Sequence, residues 1–351
     1  MIAWPARYLA SRGEISAIQH AMNLRHDNER AFFAEYQNEP LKPSELRADV
    51  LTVSMVCEKS NGRARREVPL ACTKLTMFVD VHNKLLYYCV CAWQEDFTGY
   101  VIDYGTFPEQ ADRVFSLDGA RKTLGRTFPG TGPDGAIQAG LERLVSTYLA
   151  TDFRRGAGLM RIDRLLVDMG YKPGIVAAVK HKAGGSAMML YKGMGIRAGS
   201  KPMSSYARRP GETIGHYWYI PNVNRTAEFP HVAADVNHWK TFTHTALATA
   251  AGDAGSLTLF GGATGGERSR TGEHELFAQH IAASETWTTT QGHGRTVHEW
   301  TLLPSKPDNH WLDCLTGCAV AASMLGIGRP GEQSPKRQRK RYTQADLQRR
   351  I

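Results

Sequence analysis

Residues 73–108, TKLTMFVDVHNKLLYYCVCAWQEDFTGYVIDYGTFP, constrain the fold more than any other stretch. They are dense in β-branched and aromatic residues, and two turn signals, HNK and EDFTG, cut them into three runs. Such runs predict strands at 75–81, 85–93 and 100–104, and the short turns predict antiparallel neighbours. The chain therefore commits early to a three-stranded meander, with Asp80 near the end of its first strand.

The rest of the order narrows the class. AIQAGLERLVSTYLATDF (136–153) has amphipathic helical spacing. RLLVD, ending at Asp168 and followed by Gly170, reads as a buried parallel strand with a polar residue at its C-terminal end. GIVAAVKHK and AMMLYKGMG are further helix or strand pieces, and 235–250 and 274–285 read as helices. TWTTTQGHGRTVHEWTLL (286–303) alternates on both sides of QGHGR and predicts a β-hairpin. A small-residue apolar helix over about 309–325 closes the series. Strands mixed with helices in this order predict an α/β sheet covered on both faces.

Composition excludes some classes. At 351 residues, 42% hydrophobic and 22% charged, the chain can bury a sizeable core, and no apolar run reaches the roughly 18–20 residues of a bilayer span. The opening MIAWPARYLASRGE has no long apolar segment, so no secretory leader is expected. Cys57, Cys72, Cys89, Cys91, Cys314 and Cys318 form no CxxC pair and read as buried thiols in a reducing compartment. Of the net charge of +9, the last 21 residues carry +5, from seven Lys/Arg against Glu332 and Asp346. A tail of that kind, 330–351, is expected to be disordered and drawn to polyanions.

Three acids sit where acids are costly: Asp80 inside TMFVDVH, Asp168 at the end of RLLVD, and Asp313 on the apolar final helix. One Asp at a strand end is ordinarily a turn or cap residue. Three, each at the end of a core element, favour a shared metal site. Oxygen ligands suit Mg²⁺ or Mn²⁺. Two such ions about 4 Å apart can activate a water and stabilise the leaving oxygen of a phosphodiester. One carboxylate is expected to bridge both ions, with one ion on each of the others. His310, three residues before Asp313, shares its helix face and serves as ligand or proton carrier. Asp308 reads equally well as a helix cap or a metal ligand.

The segments quoted from the meander and RLLVDMGY, with VNHWKTF, HELFAQHIAASE, GRTVHEW and DNHWLDCLTGCAVAASMLG, together resemble the nuclease domain of GpA-type phage terminase large subunits. The leading AMNLRHDNERAFFAEYQNEP resembles the segment joining that family's ATPase to its nuclease, and the likeness runs from about residue 20 to 326. The resemblance implies a ribonuclease H-like mixed sheet, as in RuvC-type resolvases. It places the metal-binding acids at Asp80, Asp168 and Asp313, with His310 assisting. It divides the chain into a helical linker (1–49), a nuclease domain (50–329) and the basic tail. It implies a two-metal endonuclease cutting concatemeric viral DNA for packaging, encoded by phage or prophage and acting in the host cytoplasm. The implied partners are double-stranded DNA, an ATPase motor, a small terminase subunit and a portal that carries the enzyme as a homo-oligomer, with no membrane.

No Gly-rich turn ending in Gly-Lys-Ser/Thr is present, and GGATGGERSR (261–270) lacks that ending, so the expectation is a cutter without its motor. Arg63, Arg65 and Arg66, and Lys180, His181, Lys182 and Lys192 in a loop after the Asp168 strand, are the expected phosphate contacts. Trp218, Trp239 and Trp311 read as core aromatics. A RuvC-type resolvase or transposase on the same fold, and an inactive DNA-binding prophage remnant, remain the alternatives.

Overall fold

Strand β1, Lys74–Val81, sends Leu75, Met77, Val79 and Val81 into one packed layer and Phe78 and Asp80 to the opposite face. Successive side chains on a strand alternate sides, so this assignment fixes where the acid faces. The structure is a computed structural model, described over residues 14–27, 51–208, 210–222, 229–262, 273–306 and 308–328. It comprises two units, Met1–Val50 and Leu51–Ile351. Within the first, helix α1 (Ala17–Asp27) is preceded by Glu14, which accepts a 2.8 Å hydrogen bond from His20. The rest of the expected linker, most of the 261–270 glycine run and the basic tail lie outside the described residues.

The second unit is built on one nine-stranded mixed sheet. β1 pairs antiparallel with β2 (Leu86–Trp93), and β2 with β3 (Gly99–Phe107). Helix α2 (Gly132–Ala150) then crosses over to β4 (Arg164–Asp168), which lies parallel beside β1. Helix α3 (Pro173–Ala183) leads to β5 (Met188–Met194), parallel to β4. The far edge adds β6 (Thr213–Gly215), β7 (Trp218–Ile220) and β8 (His231–Asp235), and after α4 (Val236–Ala248) strand β9 (Leu257–Leu259) joins β3. The spatial order is β9-β3-β2-β1-β4-β5-β8-β7-β6, a mixed sheet of the kind the resemblance implies. Helix α5 (Glu275–Ala282), the hairpin β10 (Glu285–Gly292) and β11 (Arg295–Leu302), and α6 (His310–Met324) complete the fold.

Helices cover both faces. Ile137, Leu141 and Val145 of α2, with Val176 and Val179 of α3, pack on the Leu75, Met77 and Val79 side. Trp239, Phe242, Phe277, Trp311 and Leu312, from α4, α5 and α6, pack on the Phe78 side. α6 lies tight on β1: Thr76 Oγ1 donates to the Cys318 carbonyl (3.1 Å) and accepts from Trp93 Nε1 (2.7 Å). Gly317 makes the approach possible, because a Cβ there would fall 1.8 Å from Phe78 Cδ2. Among the described residues no helix is long and apolar enough to cross a membrane.

Some boundaries differ from expectation. β3 runs on to Phe107, with its ladder to β2 shifting register between Val90 and Cys91. α2 starts four residues early, where Pro133 fits a first turn that needs no amide donor, and ends at Ala150 because Phe153 enters a short strand with Met160. Lys180, His181 and Lys182 are not in a loop. They form the last turn of α3, whose buried Val176 and Val179 recur at helical spacing. Lys192 lies on β5.

Candidate metal centre

The register of β1 and β4 brings the first two acids together. The ladder's last pair is Val79 with Val167, so Asp80 and Asp168 follow side by side where both strands end. Alternation points them to the α6 face, opposite Val79 and Val167. α6 crosses that face and supplies Asp313 from its first turn. All three acids line one cavity of about 300 Å³ with Phe78, Tyr191, Lys192, Lys240 and Thr316.

Asp80 is the most enclosed of the three, 6% exposed. Its Oδ2 accepts from His82 Nε2 at 2.8 Å and from His310 Nδ1 at 3.0 Å. Burial pushes its carboxyl up, but the two imidazoles outweigh burial and hold it well below the usual range. His310 shows the converse: burial lowers it, yet Asp308 and Asp80 raise it to about 9. Asp308 is not a helix cap. Its Oδ2 accepts from the Leu117 amide (2.8 Å), and its Oδ1 stands 3.6 Å from His310 Nε2. The Tyr87 ring, 4.3 Å from that of His310, packs the imidazole in place.

Asp168 and Asp313 are both held above the ordinary carboxylate range. Burial first, then Asp80, then Asp313, push Asp168 up to about 7. Burial also raises Asp313 despite the opposing pull of Lys240. Lys240 Nζ reaches Asp313 Oδ1 (2.9 Å) and Glu285 Oε1 (2.5 Å), and Asn309 Nδ2 donates to Asp313 Oδ2 (2.9 Å). Three carboxylates lining one cavity, with a buried lysine bound to one of them, offer oxygen donors of the kind that hard divalent cations take.

Sequence reasoning passed over Lys240, Glu285, Asn309 and His82. Lys240 was visible only as the one lysine of the VNHWKTF helix. His82 is i, i+2 from Asp80, the spacing that puts two strand residues on one face.

The basic candidates separate. Lys192 is exposed on the cavity wall. Lys182 pairs with Glu142 (2.5 Å). Arg65 and Arg66 both bind Asp103, a fully buried carboxylate that also accepts from Tyr148 (2.7 Å), so their guanidiniums are engaged in neutralising it. Arg63 pairs with Glu67 (3.4 Å). Trp218, Trp239 and Trp311 are core residues. The Sγ atoms of Cys89, Cys91 and Cys318 lie within 4.8 Å of one another as buried free thiols, a proximity that their spacing in sequence does not reveal.

Comparison with known proteins gives two matches. The profile of one protein family, described as "Terminase large subunit gpA, endonuclease domain", matches residues 15–333. Among solved structures, a point-mutant nuclease domain of the large terminase subunit gp2 of bacterial virus Sf6, with manganese, aligns with a TM-score of 0.36. That alignment has 10% identity and covers 71% of this chain and 88% of that one. No curated protein sequence matches.

Proposed function

This chain belongs to the endonuclease-domain family of gpA-type terminase large subunits, and on that premise we propose that it is a divalent-metal-dependent DNA endonuclease that hydrolyses phosphodiester bonds of concatemeric viral DNA during packaging. The observation that carries the metal dependence is the shared cavity of Asp80, Asp168 and Asp313, residues up to 233 positions apart in sequence. Two Mg²⁺ or Mn²⁺ ions held there would make water nucleophilic near neutral pH and stabilise the leaving oxygen.

The chain's own residues do the rest. Asp80, which shares the cavity with the other two acids and bonds both histidines, would be the carboxylate common to the ions. Asp168 and Asp313 would each help to hold an ion, whose charge would offset the repulsion between the two carboxylates. His310, linked to both Asp80 and Asp308, would assist as a metal ligand or a proton carrier. Lys192 faces the phosphate backbone, a contact that positions DNA without reading its sequence. Residues 50–329 form the nuclease domain, joined to a linker and a basic tail. Its partners are the packaging ATPase, the small subunit and the portal, in the host-cell cytoplasm.

The test is plasmid nicking with Mg²⁺, Mn²⁺ or EDTA. The chain nicks with either ion and not with EDTA, and Asp80→Asn and Asp313→Asn lose nicking while keeping the wild-type circular dichroism. A variant that nicks at the wild-type rate removes the assignment.

A further inference from the structure

We propose that Asp80, His82 and His310 form a nitrogen-containing metal site that selects a transition ion such as Mn²⁺, Co²⁺ or Zn²⁺ over Mg²⁺, with His82 as a direct ligand. The proposal rests on the nuclease reading above and adds a ligand and an ion preference to it. Three donor atoms carry it: Asp80 Oδ2, His82 Nε2 and His310 Nδ1, all within 4.8 Å of one another.

The spacing is that of ligands around one ion. The two nitrogens stand 2.8 and 3.0 Å from the same carboxylate oxygen. Adjacent ligands of an octahedral ion with bonds of about 2.1 Å are about 3.0 Å apart. The two rings, 4.1 Å apart at 62°, are turned edge to face rather than stacked, so that both nitrogens converge on that oxygen. Without an ion, each nitrogen must carry its ring hydrogen to bond Oδ2. A divalent ion replaces those protons and satisfies all three atoms.

The surroundings of His310 fit a ligand as well. Its free nitrogen, Nε2, is buried without a hydrogen bond, and Asp308 Oδ1 stands 3.6 Å away. A carboxylate behind the second ring nitrogen is the usual device that fixes the tautomer and aim of a metal-bound imidazole. Asp308 is itself anchored by the Leu117 amide. Imidazole favours the later transition ions, whereas Mg²⁺ prefers oxygen alone and sheds water reluctantly. The two sides of Asp80 therefore differ: the Asp168 and Asp313 side offers carboxylate oxygens, and the His82 and His310 side adds two nitrogens.

The test is pulsed electron paramagnetic resonance of Mn²⁺ added to the full chain, with Mn²⁺ affinity measured alongside by titration. Wild type gives imidazole ¹⁴N coupling on Mn²⁺, weakened in His82→Gln and lost in the His82→Gln, His310→Gln double variant. His82→Gln binds Mn²⁺ about tenfold more weakly, the scale seen when groups around a metal site are lost, while Mg²⁺ affinity moves less than about threefold. Wild-type Mn²⁺ without nitrogen coupling, or a His82→Gln affinity for Mn²⁺ matching wild type, overturns the proposal. The first readout needs no variant to fold. Mg²⁺-dependent nicking by the same wild-type preparation separates the two ideas: nicking without nitrogen coupling removes only this site, whereas nicking by Asp80→Asn removes the nuclease reading itself.

Discussion

Lys240 Nζ stands 2.9 Å from Asp313 Oδ1. The chain thus places its own cation against one of the acids assigned to metal binding, and the same ammonium holds Glu285, whose side chain is 3% exposed. Lys240→Met keeps most of the side chain's apolar length and removes the charge. Breaking a buried pair on one side costs about 3–5 kcal/mol, and urea melts of the metal-free protein should show a loss of that order. Saturating Mn²⁺ should restore more stability to the variant than it adds to wild type. A loss below about 1 kcal/mol would mean that solvent already screens the pair.

The two shifted groups at the centre predict how metal-free stability depends on pH. Asp168, raised to about 7, binds a proton more readily in the folded state. Its contribution is therefore present at low pH and is lost as pH climbs from its unfolded value of about 3.9 through about 7. His310, raised to about 9, contributes fully below its unfolded value of about 6.5 and loses that contribution as pH rises through about 9. Both slopes run the same way, so the metal-free melting temperature should fall between about pH 5 and 9. Asp168→Asn should flatten the lower part of that fall and His310→Gln the upper part, in thermal melts recorded in EDTA. A melting temperature that climbs across this range contradicts both shifts.

Gly317→Ala sets two effects against each other. Alanine gains roughly 1 kcal/mol over glycine inside a helix. Here its Cβ would lie 1.8 Å from Phe78 Cδ2, and overpacking a core costs about 1–3 kcal/mol, occasionally more. The clash should win, with a net loss of stability in chemical denaturation. Nicking should fall as well, because α6 carries Asp313 and cannot shift from β1 without moving it. A variant as stable as wild type would show that α6 has room to move.

Lys192→Ala should weaken DNA binding about equally for unrelated sequences. If its ammonium meets one phosphate, the slope of log affinity against log salt should fall by about 0.9. Fluorescence anisotropy at several salt concentrations, with Ca²⁺ in place of the activating ions, reads both numbers. An unchanged slope places Lys192 off the DNA path.

Much of this was legible along the chain because the signals are local. The β1, β2 and β3 runs announce themselves by β-branched and aromatic density, RLLVD by its apolar run, and α6 by small apolar residues behind His310 and Asp313. Each acid could be named because an acid in an apolar element is locally anomalous. Lys180 and Lys182 were misplaced in a loop because their charges hide the helical spacing of Val176 and Val179. Arg65 and Arg66 look like a free basic cluster until Asp103, on β3, is seen beneath them.

The amino-acid order alone determined the β1, β2 and β3 runs, RLLVD, the hairpin and the longer helices, since those signals depend on neighbours a few positions apart. Which strand ends stand together was settled by the sheet order and by the β1–β4 register, and these alone put Asp80 beside Asp168. Lys240 meeting Glu285 across 45 residues, and His310 meeting Asp80 across 230, are likewise tertiary facts. Periodicity fades within a few turns of chain, whereas the field at a buried carboxylate is set by whatever charge the fold brings within a few ångströms of it.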